Sequence, residues 1–163
     1  MGVAVKDSVL EAVMAYHHPG LILRLQDKVG LSPAEAEELF ADMKRFLFLA
    51  GTVFDPLAPT EKIDEAWHNF ILFTRDYQRF CRDYFGRFIH HVPVGPDEIA
   101  SRDGSIIRRT IQAAQEIFGD ELSANWGVAA RCSDKCKPST NCQNKCSPSC
   151  SKECSKETEV LAN

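Results

Sequence analysis

At Arg131 the composition of this 163-residue chain changes abruptly, and the change decides how much of it can build a core. Residues 131–163 hold six cysteines, six serines and two prolines, while their only aliphatic side chains are Val160, Leu161 and Ala162. A segment so poor in apolar surface cannot offset the entropy of ordering its backbone. The expectation is a helical body over residues 1–130 and a tail over residues 131–163 that is disordered or organised by metal. The tail carries six basic and four acidic residues, leaving the body thirteen and nineteen, so the body is the acidic part.

A body of this size buries roughly two thirds of its unfolded surface and needs no covalent staples. The seven cysteines are therefore a surplus that chemistry has to explain. The net charge of −4 argues against a nucleic-acid surface. The first residues, MGVAVKDSVLEAV, lack the basic and apolar regions of a secretory signal, and Lys6 stands where a myristoylation motif wants Ser or Thr. The longest apolar run, residues 46–54, is about half of a membrane span and is interrupted by Gly51 and Thr52. These features predict a cytoplasmic chain with no membrane partner, in a reducing setting where clustered thiols serve metals more often than disulfides.

Within the body the apolar period is that of helices. Val9, Leu10, Val13 and Met14 repeat at helical spacing until His18-Pro19-Gly20, and a second short helix is expected to run to Val29 before Gly30. His17 and His18 are read as capping groups at that first helix end. Ser32-Pro33-Ala34-Glu35 is a capping box with proline at the first helical position. From it, Ala36, Leu39, Phe40, Met43, Phe46, Leu47 and Ala50 recur until Gly51, which is expected to stop the helix. Thr60 is expected to cap a long fourth helix with a stripe of Ile63, Trp67, Phe70, Thr74, Tyr77, Cys81, Tyr84 and Phe85, which Gly86 ends or bends. Ile106 to Phe118 form a last amphipathic helix before Gly119. No stretch alternates with period two over a strand's length. The fold class is all-α, a compact bundle of about five helices with an irregular cysteine-rich C-terminal tail.

The run Pro59-Thr60-Glu61-Lys62-Ile63-Asp64-Glu65-Ala66-Trp67-His68 is followed by Thr74, Tyr77, Phe80-Cys81, Phe85-Gly86 and Phe88-Ile89-His90-His91-Val92-Pro93. With Arg45-Phe46-Leu47 before it, this pattern resembles the bacterial branch of the glycine-rich domain-containing protein-like family over residues 5–95. Its distinctive parts are the Asp-x-x-Trp-His box and the His-His-x-Pro end. The resemblance implies a helical fold and names no substrate. The chain has no glycine-rich region and adds the cysteine tail, so the partner-binding roles of longer relatives do not carry over.

Two groups of residues have the composition of metal sites. Asp64 and His68 lie one helical turn apart, so the carboxylate can orient one imidazole nitrogen and leave the other free. His90 and His91 point to opposite sides of an extended segment, so one of them is expected to face His68. The competing expectation is structural, with Trp67 in the core and the histidines satisfying loop and cap groups. Cys81, on the apolar stripe, reads as a small hydrophobe.

In the tail, Cys132 and Cys136 form a CxxxC pair, and Cys142, Cys146, Cys150 and Cys154 extend the same spacing three times. Six thiols suffice for a four-cysteine zinc site or a small copper(I) cluster. The expected function is therefore soft-metal binding by tail thiolates, with a second site at Asp64, His68 and one of His90 and His91; nothing here requires an enzyme. Three disulfides are the reading for an oxidising compartment, with fifteen possible pairings. Another reading is a helical leader with a cysteine-rich core, the precursor of a ribosomally made peptide handled by a modifying enzyme. A third is an interaction module whose Trp-His box binds a protein partner.

Overall fold

Four consecutive side chains, Phe46, Leu47, Phe48 and Leu49, are buried on one helix, so that helix must be covered on every side. In the computed structural model, which describes residues 3–53, 55–92 and 104–127, it is the central element of the fold. The helices are α1 (Val3–Ala15), α2 (Pro19–Val29), α3 (Pro33–Thr52), α4 (Glu61–Ile71), α5 (Thr74–Phe85) and α6 (Ser105–Phe118), followed by 3-10 turns at Gly119–Glu121 and Ala124–Trp126. Helix α3 packs against each of the other α-helices among the described residues. Among the described residues no strand occurs, and no helix is long and apolar enough to cross a membrane. The chain divides into two units, Met1–Val128 and Ala129–Asn163, and the helices above lie in the first.

Sequence chemistry accounts for most boundaries. The Ser32 hydroxyl accepts from the Glu35 amide while the Glu35 carboxylate accepts from the Ser32 amide, which completes the capping box at the start of α3. Gly30 and Gly86 end α2 and α5 in the left-handed region that favours glycine. His18 caps the start of α2, its Nδ1 accepting from the Leu21 amide at 2.8 Å, rather than the end of α1. The imidazole works there as an acceptor for an amide of α2 and not on the α1 carbonyls. The end of α1 is held from α3 instead, where Lys44 donates to the carbonyls of Met14 and Tyr16.

Three expectations are corrected. The long fourth helix is two helices, broken at Leu72 and Phe73. Trp67 and Tyr77 would stand about 15 Å apart along one straight helix, whereas the Trp67 indole donates to the Tyr77 hydroxyl at 3.0 Å because α5 folds back over α4. Thr60 forms no side-chain cap on α4; its hydroxyl donates to the Asn125 carbonyl at 2.6 Å and ties the C-terminal turn to α4. Gly51 does not stop α3, which continues through Thr52. It is small because a Cβ there would lie 2.4 Å from the Phe85 ring.

That C-terminal turn buries Trp126 completely, and the Trp126 indole donates to Asp42 Oδ1 at 2.9 Å. Asp42, also fully buried, accepts further bonds from Ser123, Asn125 and Arg45. Buried charge is tolerable there because four donors surround it.

Candidate metal centre

Helix α4 buries Ile63, Ala66, Trp67, Asn69 and Phe70, which leaves Asp64 and His68, one turn apart, at the edge of its apolar face. The His68 Nδ1 lies 3.7 Å from Asp64 Oδ2, and its side chain is 48% exposed. The second histidine comes from the segment after Gly86. There the side chains alternate, so Ile89 is buried, His90 is exposed and His91 turns inward again. His91 Nε2 sits 2.8 Å from Asp64 Oδ1. Its ring stands edge-on to Trp67 with centroids 4.6 Å apart, and 4.3 Å from the His68 ring.

The segment is pinned by Tyr77. Its hydroxyl accepts from Trp67 and donates to the Ile89 carbonyl at 2.5 Å, two residues before His91. Burial holds the Tyr77 phenol well above its ordinary range, so it remains a donor. Trp67 thus joins the core, the pin and the site.

Of the four residues expected in the body, Asp64, His68 and His91 converge, with one ligand atom of each within 4.8 Å of the others. His90 does not join them; its ring packs on Phe88 with centroids 4.9 Å apart. The expected partner of His68 is therefore His91, and the Asp64 carboxylate lies closer to His91 than to His68. Cys132, Cys136, Cys142, Cys146, Cys150 and Cys154 lie outside the described residues. Cys81 is buried, and burial pushes its thiol above the ordinary range, consistent with a packed hydrophobe.

Two imidazoles and one carboxylate are a donor set for zinc or for iron, cobalt and nickel. Zinc–ligand bonds of about 2.0–2.1 Å put tetrahedral donors about 3.3 Å apart. The observed spread therefore has to contract by roughly 1.5 Å at its widest, which rotation of the half-exposed His68 ring can supply. Three protein ligands leave coordination positions for water or another ligand, so the chemistry is that of an open site. The residues fit such an ion.

Beside the imidazoles, Arg24 of α2 donates from Nε to Asn69 Oδ1 at 2.8 Å. Asn69 is fixed in turn by its amide donating to the Glu65 carbonyl and to Glu65 Oε1. Sequence reasoning missed Arg24 and Tyr77. Arg24 reaches the site only through the packing of α2 on α4, across 45 positions of sequence. Tyr77 was legible only as a core position.

The UCP032817-like family matches residues 10–117, so the chain belongs to that family. The match spans α2 to α5 and all three converging residues. No curated protein and no solved structure matches the chain.

Proposed function

We propose that this chain is a metal-binding protein whose helical body holds a divalent transition metal through Asp64, His68 and His91, and whose tail thiolates bind a softer ion. The observation that carries the body site is the convergence of the three donors, which come from two segments 23 residues apart at the nearest. A purely structural use of His91 needs only its bond to Asp64. The placement of a second, half-exposed imidazole against the same carboxylate supports a ligand role for both. When bound, the ion supplies Lewis acidity and an activated water. The hydrogen bond between His91 Nε2 and Asp64 positions that ring until an ion takes the proton's place, Trp67 packs against the ring, and His68 is the ligand free to close on the ion.

The tail reading rests on six thiols at regular spacing, with zinc or copper(I) as the ion. A reducing cytoplasm keeps those thiols available for it.

The test separates the two sites by using the full chain with the six tail cysteines replaced by serine. That variant should bind one equivalent of cobalt(II), and Asp64→Ala or His68→Ala in the same background should weaken binding on the order of 100-fold. His90→Ala should not. Absence of cobalt binding in the tail-serine chain overturns the body site. The unaltered chain should take up additional zinc or copper(I), weakening toward acid pH as thiolates protonate. Uptake equal to that of the tail-serine chain overturns the tail site, and a covalent mass change confined to residues 131–163 favours the modified-peptide precursor.

A further inference from the structure

Helices α2 and α4 enclose an open depression of about 470 Å³ into which the His68 and His91 side chains look, with Arg24, Asn69, Ile71 and Leu72 completing its wall. Its lining is chemically divided. One part is the two imidazoles of the candidate metal site. Another is Arg24, whose guanidinium is fixed at Nε by Asn69 while neither Nη group donates to any acceptor among the described residues. The third is aliphatic, for Leu72 at the break between α4 and α5 is 62% exposed beside Ile71.

We propose that this depression binds a small aliphatic carboxylate, its carboxyl group held between the Arg24 Nη donors and the ion at Asp64, His68 and His91, and its hydrocarbon body lying on Ile71 and Leu72. The inference rests on the metal site proposed above. A guanidinium oriented at Nε presents its remaining N–H groups as a planar fork, which suits a carboxylate. An open coordination position beside it takes the same group's oxygen. Charge favours a monoanion over phosphate. The divalent ion and Arg24 are offset by Asp64 and by Glu65, which also borders the depression, and a single positive charge remains. A doubly charged oxyanion would overshoot that charge and leave the depression negative, whereas a monoanion neutralises it. A very polar ligand would also leave Leu72 in water, whereas a short alkyl chain covers it.

The probe is hexanoate, titrated into the cobalt(II) complex of the full chain with tail cysteines replaced by serine and followed by the visible cobalt spectrum. Hexanoate should shift the bands saturably, while hexanamide and inorganic phosphate should not. Arg24→Gln keeps a donor for Asn69 and should weaken hexanoate about tenfold or more, the loss of a charge-assisted hydrogen bond, with cobalt affinity unchanged. Arg24→Lys should retain part of the binding. Leu72→Ser should weaken hexanoate and leave acetate alone. A cobalt complex that ignores hexanoate, or that binds it equally after Arg24→Gln, overturns this inference while sparing the metal site. Equal response to hexanamide or phosphate overturns it as well. A chain that binds no cobalt overturns both.

Discussion

The Tyr77 hydroxyl and the Ile89 carbonyl are joined by a 2.5 Å hydrogen bond, and this bond holds the segment carrying His91 against the helix carrying Asp64 and His68. The same hydroxyl accepts from the Trp67 indole. Tyr77→Phe keeps the ring and removes both bonds, leaving a buried indole N–H and a buried carbonyl without their partner. At about 1–3 kcal/mol for each unsatisfied group, the variant should lose roughly 2–6 kcal/mol in urea unfolding. Its cobalt affinity should fall too, because the pin two residues before His91 is lost. A variant with lower stability and unchanged cobalt affinity would show that Tyr77 serves the core alone.

The helical repeats, the capping box and the one-turn spacing of Asp64 and His68 were legible in the sequence because each is set by residues within a turn or two of one another. What escaped reading depends on contacts between distant segments. The stripe from Ile63 to Phe85 looks continuous, but the Trp67–Tyr77 bond and the packing of Phe70 on Tyr77 and Phe80 show that α4 and α5 are folded against each other. Strand-like alternation limited the choice to His90 or His91, but the burial of Ile89 decides which. Trp126 lies where the apolar period has ended, and its place is fixed by Asp42, 84 positions earlier. Gly51 has the pattern of a helix stop, although it answers to the Phe85 ring.

Asp42 should be among the least replaceable residues of the body. Asp42→Ala strands Trp126 Nε1 and the Ser123 and Asn125 donors, and it removes the closer carboxylate from Arg45, which otherwise keeps only exposed Glu121 at 3.3 Å. Removing one partner from a buried ion pair costs about 3–5 kcal/mol. Urea unfolding should register a loss of at least that size, with the fluorescence of Trp126 shifting as its turn detaches. A loss below about 1 kcal/mol would mean that the C-terminal turn is not anchored by Asp42.

Gly51→Ala sets two effects against each other. Helix propensity favours alanine by about 1 kcal/mol. The new methyl group would meet Phe85 Cδ1 at 2.4 Å and Cγ at 2.7 Å, so the whole ring must move, at about 1–3 kcal/mol for overpacking. The substitution should destabilise the native chain. In a Phe85→Ala background the obstacle is gone, and the same change should become neutral or stabilising. Thermal unfolding of the four proteins of this cycle measures the sign, and equal effects in both backgrounds would refute the close approach as the reason for glycine.

Alkaline pH should act on stability in two opposite stages. Lys44 is buried between α1 and α3, with its ammonium 4.7 Å from the Phe40 ring centre, and its pKa falls from 10.5 to about 8, chiefly through desolvation, with Glu37 opposing and Arg45 adding to the fall. Between those values the unfolded chain binds more protons than the native one, so this group makes stability rise with pH. The neutral amine still has two N–H groups for the Met14 and Tyr16 carbonyls. Tyr16 moves the other way, pushed up to about 12 by burial first and the Asp76 charge second, and burial raises Tyr77 as well. Above about pH 10 the unfolded phenols ionise while the native ones resist, and the stability they contribute is progressively lost. Urea midpoints measured from about pH 8 to about pH 11 should therefore rise and then fall. Lys44→Met should flatten the rise whatever its effect on overall stability, and Tyr16→Phe should soften the fall. Parallel profiles for the native chain and Lys44→Met below about pH 10 would show that burial does not depress the Lys44 ammonium.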